Sequence, residues 1–108
     1  MLIDAGALAL SKDLSGKKLR THVGYGLVCP TSGGPPIDGM YVAEVHQEHG
    51  LIAGPEPADV MARQYPVGTR VRILPNHACL TAAPYDRYHV VSGEDPCILG
   101  VWPKVTGW

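Results

Sequence analysis

The chain has 108 residues, with nine Lys and Arg against ten Asp and Glu and a formal net charge of −1. Nucleic-acid binding draws most of its affinity from Lys and Arg, and here these are too few and too scattered to form a basic surface. The length allows one domain, expected over residues 1–108, and 45% hydrophobic residues are enough for one core. No apolar run approaches the ~18 residues of a membrane span.

Three cysteines, Cys29, Cys79 and Cys97, form an odd count without a CxxC spacing. This pattern is a poor disulfide framework and a poor four-cysteine zinc site. A secretory leader has a basic region ahead of an apolar stretch, and the N-terminus lacks this pattern. A reducing compartment is therefore favoured, and we expect a cytoplasmic protein.

The 13 Gly and 10 Pro are spread along the chain and leave segments the size of strands. They predict an all-β domain, a small barrel or sandwich of about seven or eight short strands with at most one short helix. In the first half, residues 2–11 fit a strand or a helical turn, and a strand is favoured because Gly6 weakens a helix. Residues 12–21 are predicted as a polar loop and 25–29 as a strand.

Residues 40–47 alternate, which predicts a strand with Tyr41, Ala43 and Val45 on one face and Val42 among the residues on the other. Residues 51–53 can pair back on it as a hairpin. The single helix is expected over 57–65, because Pro57 suits a first helical turn.

Further strands are predicted over 69–74 and, after a break at Pro75 and Asn76, over 77–81. A hairpin of residues 87–91 and 97–102 is expected to complete the domain.

The sequence His77-Ala78-Cys79 places an imidazole and a thiol two residues apart. On an extended backbone both point to the same side, where they could bind one metal ion. Mixed nitrogen and sulfur donors suit Zn²⁺, and two ligands would leave positions for water or substrate. Such a spacing also arises by chance, and a packed or partly exposed pair is then the simpler interpretation.

The sequence around this pair resembles the C-terminal domain of the D-serine dehydratase and D-threonine aldolase family. Members of this family are pyridoxal phosphate enzymes of the alanine racemase-like fold type. The string Pro75-Asn-His-Ala-Cys79 after an alternating strand is the most specific element. Other blocks follow in the family's order and cover nearly the whole chain. They are residues 4–13, 24–28, 48–50, 68–79 and 85–91.

The resemblance implies a lyase acting on D-β-hydroxy amino acids, by D-serine dehydration or D-threonine aldol cleavage. It makes His77 and Cys79 ligands of zinc or another divalent metal, and it makes His49 a candidate catalytic residue. Pyridoxal phosphate and its lysine would belong to an N-terminal barrel domain that 108 residues cannot include. A homodimer is expected for the full-length protein, and a start at Met1, directly before the first block, suggests a cloned or cleaved fragment.

A different class of function is a stand-alone β-barrel binding or interaction module without catalysis. The reading frame upstream of Met1 discriminates between the two hypotheses. A barrel-sized segment there favours the enzyme, whereas a true start codon favours the module.

Overall fold

The computed structural model describes residues 1–14, 23–93 and 95–105. Within them the chain forms seven strands in two antiparallel sheets, and the larger sheet curls into a half-barrel. The strands are β1 Leu2–Ile3, β2 Gly26–Cys29, β3 Tyr41–Val45, β4 Gly50–Ala53, β5 Arg72–Pro75, β6 Arg87–Val90 and β7 Gly100–Pro103. The predicted all-β class is confirmed. Most of the loop predicted over 12–21 lies outside the described residues.

The larger sheet has the order β1-β4-β3-β2-β5. The predicted hairpin is its β3–β4 pair, in which Val42 lies opposite Ile52. Strand β5 pairs with β2 over four residues, and the backbone N–H of Asn76 then donates to the carbonyl of Tyr25 at 3.2 Å. This pairing fixes the point at which the chain leaves the sheet, one residue before His77.

Strand β3 departs from the predicted alternation. Val42 is fully buried and Val45 is 5% exposed, so both belong to the core although they are three residues apart. The register with β4 shifts between Val42 and Glu44, which marks a β-bulge. An extra residue at a bulge reverses the alternation beyond it. The prediction that Val42 and Val45 lie on opposite faces is therefore wrong.

The core lies on one side of the larger sheet and is closed by helical residues. Its central members, Val28 and Val42, are inaccessible to solvent. The rest of the buried cluster is Leu10, Met40, Val45, Ile52 and Met61. Since Leu10 and Met61 come from helices, the core depends on these helices docking against the sheet.

Three short helices occur in the described ranges: α1 Ala7–Leu10, α2 Ala58–Gln64 and α3 Ala78–Ala82. Helix α2 is the one expected over 57–65. The other two add to the single helix that the sequence predicted. They occupy parts of segments 2–11 and 77–81, for which extended structure was expected. That expectation is wrong for residues 7–10 and 78–81, whereas residues 2–3 do form a strand, β1.

Helix α1 forms because the turn at 46–49 supplies acceptors for its first N–H groups. Ala7 donates to the carbonyl of His46 at 2.6 Å, and Leu8 donates to that of Gln47 at 3.1 Å. These bonds satisfy donors that have no partner within a helix. A four-residue helix is not stable by itself in water, so this docking decides the conformation.

Helix α3 is held near its C-terminal end by distant residues. The hydroxyl of Thr81 donates to the carbonyl of Leu10 at 3.0 Å. The ammonium of Lys104 donates to the carbonyls of Ala82 at 2.7 Å and Ala83 at 3.2 Å, where helical carbonyls lack partners. The sequence pattern carries no sign of either contact.

Candidate metal centre

His77 stands at the junction between β5 and α3. It is the N-cap of α3 and has an extended backbone, φ −131° and ψ 102°. Its Nδ1 is hydrogen-bonded to the carboxylate of Asp13, and about a quarter of its side chain is exposed. Because this contact uses Nδ1, a metal ion would coordinate His77 through Nε2.

Asp13 is held in place by several contacts with α3 and with its own segment. The side-chain amide of Asn76 donates to the Asp13 carbonyl at 2.9 Å. The Asp13 N–H donates to Oγ of Ser11 at 3.3 Å. With the bond from Thr81 to Leu10, these contacts fasten residues 10–13 against α3 and the residues just before it.

Ser11 has an unusual backbone conformation at the end of α1, with φ 68° and ψ 165°. This region is essentially restricted to glycine, and other residues in it are strained. Ser11 is also buried, at 9% exposure. The strained residue turns the chain out of α1 two positions before Asp13.

Cys79 lies in the first turn of α3 and is exposed, with a free thiol. An extended backbone would point Cys79 to the same side as His77, but residue 79 is helical. In the described part of the chain, no group of three or more His, Cys, Asp and Glu side chains could hold a metal ion. A metal ion bound by His77 and Cys79 would therefore need further ligands from outside the described part of the chain. That the pair binds metal stays a prediction.

His49 lies in the exposed turn between β3 and β4. Its ring stacks on that of His46, with centroids 4.7 Å apart and planes 20° apart. The other side of His46 faces Glu44, 3.7 Å from Nε2 to Oε2. The structure thus groups His49 with His46 and leaves its predicted catalytic role as a prediction.

The turn at His49 and the start of α3 are nevertheless linked through one segment. Residues 7 and 8 bond to the turn, while residues 10 and 13 bond to α3 and to the residues just before it. A displacement of this segment would therefore move the surroundings of His49 and His77 together.

Two residues of this region were missed by sequence reasoning. Asp13 ends the first block of the family resemblance, which was the available signal, but its partner His77 is 64 residues away. Lys104 carries no signal in the sequence pattern, and the structure places it half-buried at the C-terminus of α3.

A depression of about 1090 Å³ lies elsewhere, between β1, α2 and the residues before β5, with Met61, Tyr65 and Val71 in its wall. His77 and Cys79 do not line it. They lie on a surface of the described chain, and a substrate there would need walls from another segment or subunit.

Residues 1–91 match the family described as "Putative serine dehydratase domain". The chain belongs to this family. It is 36% identical over 110 residues to D-threo-3-hydroxyaspartate dehydratase of Delftia sp. strain HT23, covering 99% of this chain and 28% of that protein. It is 30% identical to D-serine dehydratase of Schizosaccharomyces pombe, covering 100% of this chain and 23% of that protein. The chain thus spans about a quarter of the length of these relatives.

Solved structures of similar proteins have the same fold. The Delftia dehydratase superposes with a TM-score of 0.83 at 36% identity, covering 99% of this chain and 28% of that chain. An alanine racemase-like protein from Idiomarina loihiensis superposes with a TM-score of 0.80 at 41% identity, covering 99% of this chain and 27% of that chain.

Two solved variants of D-threo-3-hydroxyaspartate dehydratase bear on the metal question. One replaces a histidine by alanine, and the other replaces a cysteine by alanine and is described as the metal-free form. The two replaced positions are separated by one residue, which is the spacing of His77 and Cys79.

In the described ranges, no helix is long and apolar enough to span a bilayer.

Proposed function

We propose that this chain is the metal-bearing β-domain of a pyridoxal phosphate-dependent lyase that removes water from a D-β-hydroxy amino acid. The observation that carries the proposal is the His77-x-Cys79 pair in a member of this family. In a related dehydratase, a histidine and a cysteine with the same spacing have each been replaced by alanine, and the structure of the cysteine variant is described as metal-free. Dehydration is favoured over aldol cleavage because both relatives compared above are named dehydratases.

The residues present fit a divalent metal as two of its ligands. His77 offers a ring nitrogen whose orientation is set by Asp13, and Cys79 offers an exposed thiol. Imidazole with thiolate favours Zn²⁺ among common biological cations. When bound, such an ion supplies Lewis-acid assistance to the departure of the substrate hydroxyl. The chain's own contribution is to hold the two donors at the start of α3.

Pyridoxal phosphate is assigned to a second domain, because the described residues do not fit it. Lys104 is committed to the carbonyls at the end of α3, and Lys12 is an exposed lysine next to Asp13. The cofactor supplies stabilisation of negative charge at the substrate α-carbon. We place it and its lysine in an N-terminal barrel within the three quarters of the relatives' length that this chain does not cover.

The β6–β7 ribbon supports a domain partner. A two-stranded ribbon alone is marginally stable in water, yet Tyr88 and its cross-strand neighbour Trp102 are 44% and 64% exposed. Further exposed apolar residues lie on or beside the ribbon: Tyr85, Val91, Ile98, Leu99, Val101 and Val105. Apolar patches of this kind usually mark an interface. We propose that this apolar patch is covered by the barrel domain in a homodimer of the full-length protein.

His49 is proposed as an active-site residue, supported by its place in the Glu48-His49-Gly50 block and by the segment that links its turn to α3. The cytoplasm is the proposed compartment, since all three cysteines are free.

Metal content is the direct test. Purified chain prepared without chelator should contain up to one zinc, and His77→Ala and Cys79→Ala should each lose it. His89→Ala and Cys97→Ala are matched controls, because both residues are exposed and lie in or beside the ribbon. Equal metal content in all five proteins would remove the site.

Activity is tested with and without a barrel domain. The chain alone should release no ammonia from D-serine, because the lysine and cofactor are elsewhere. Addition of a separately produced family barrel should restore metal-dependent turnover, and His77→Ala should abolish the gain. Turnover by the isolated chain, or a barrel indifferent to it, would favour the interaction-module hypothesis or another placement of the chemistry.

A further inference from the structure

We propose that Asp13 is a positioning residue for the metal site. It fixes the ring of His77 so that Nδ1 carries the proton and Nε2 is presented to the metal. This inference rests on the proposed function and adds a residue from the opposite end of the chain.

The contact between Asp13 and His77 sets which ring nitrogen of His77 carries the proton. The Asp13 carboxylate is hydrogen-bonded to His77 Nδ1, and both side chains are largely shielded, with 33% and 25% exposure. A carboxylate accepts but does not donate when ionised, so the shared proton belongs to Nδ1. In the neutral imidazole the other nitrogen, Nε2, then carries the lone pair that a metal requires.

The second step is that Asp13 is itself fixed. Its carbonyl accepts from Asn76, the residue before His77, and its N–H is bonded to Ser11. The strained backbone of Ser11 directs the chain toward α3. Strain of this kind persists where the surroundings over-determine a conformation, and it concentrates at functional sites.

The third step is chemical. A metal-bound histidine ordinarily donates its other N–H to a carboxylate, carbonyl or water, and that partner sets the tautomer and raises ligand basicity. Its removal typically weakens metal affinity by 10- to 100-fold. The Asp13–His77 pair has this arrangement.

The tautomer of His77 gives a readout that does not depend on metal or activity. At a pH where the imidazole is neutral, nitrogen-15 NMR of the metal-free chain should show the Nδ1–H tautomer of His77. Asp13→Ala should lose this preference, and Asp13→Asn, which keeps an acceptor oxygen, should retain part of it. Retention of the full preference in Asp13→Ala would overturn the proposal.

Zinc affinity is measured on the same proteins by competition with a chromophoric chelator. Asp13→Ala should bind Zn²⁺ 10- to 100-fold more weakly than wild type, with Asp13→Asn between them. Thr81→Val is the matched control, because it removes the tether to Leu10 but leaves the carboxylate in place. An equal loss in Thr81→Val would overturn the proposal, since the effect would then come from the tether.

The outcomes separate the two proposals. Wild type that binds zinc, with Asp13→Ala binding equally well, refutes only the role of Asp13. Wild type that binds no zinc refutes the metal site, and the metal role of Asp13 falls with it. The NMR measurement then still decides whether Asp13 orients His77.

Discussion

The carboxylate of Asp13 is hydrogen-bonded to Nδ1 of His77, joining the residues that follow α1 to the N-cap of α3 across 64 positions of sequence. This contact and its neighbours hold α1 and α3 together beside the larger sheet. The predictions below test the packing that produces this arrangement.

Gly6→Ala should destabilise the protein, because α1 approaches the 46–49 turn too closely for a side chain. A Cβ at this position would lie 2.5 Å from the His49 nitrogen and 2.6 Å from the His46 carbonyl oxygen. Both are backbone atoms, so the helix must move. We expect a loss of roughly 1 to 3 kcal/mol in the free energy of unfolding, measured by urea titration.

Gly100→Ala is the control, since a Cβ there has no described atom within 4 Å. It should change stability by less than about 0.5 kcal/mol. Equal effects of the two substitutions would show that the close approach at Gly6 is not what limits stability.

Ser11→Gly and Ser11→Ala should differ in stability. Glycine relieves the strain at φ 68° and ψ 165°, whereas alanine keeps it. Both lose the Oγ that accepts from the Asp13 N–H, so this loss cancels in the comparison. We expect the glycine variant to be more stable than the alanine variant by about 1 kcal/mol, after the entropic cost of glycine. A more stable alanine variant would exclude the strained conformation.

Val42→Ala should cost about 2 to 3 kcal/mol, from two lost methyl groups and the cavity they leave. Val42 is fully buried, whereas Val67 is fully exposed and serves as the control. Thermal unfolding of both variants checks the result. A small effect at residue 42 would place the core elsewhere than on the inner side of β3.

Asp95 should titrate below its ordinary value. The backbone N–H of Cys97 donates to the Asp95 carboxylate at 2.9 Å and lowers its pKa from 3.8. Because the pKa of Asp95 is lower in the folded state, this contact stabilises the loop at pH values above the unfolded-state pKa. The stabilisation is lost as the pH falls through the folded-state pKa. Carboxyl NMR should show a midpoint below 3.8, and Cys97 amide exchange should speed up relative to unstructured amides at lower pH.

The sequence alone determined the class of this domain and two of its strand pairings, the β3–β4 and β6–β7 hairpins. Dispersed Gly and Pro limit the length of each element, and the alternating segments 40–47 and 69–74 predict the strands that the structure has as β3 and β5. These are local properties, and period-2 patterns specify a sheet without reference to distant residues. The spacing of His77 and Cys79 made them a candidate pair, and the family resemblance made them predicted metal ligands.

Only the tertiary structure decided the conformation around that site. Residues 7–10 and 78–82 are too short to favour a helix by themselves, and they become helical because distant groups satisfy their end N–H and carbonyl groups. The bulge in β3 and the strain at Ser11 follow from packing in the same way. The pairing of β5 with β2 brings His77 next to Asp13. Because the two residues are 64 positions apart, the local sequence carries no signal of their contact.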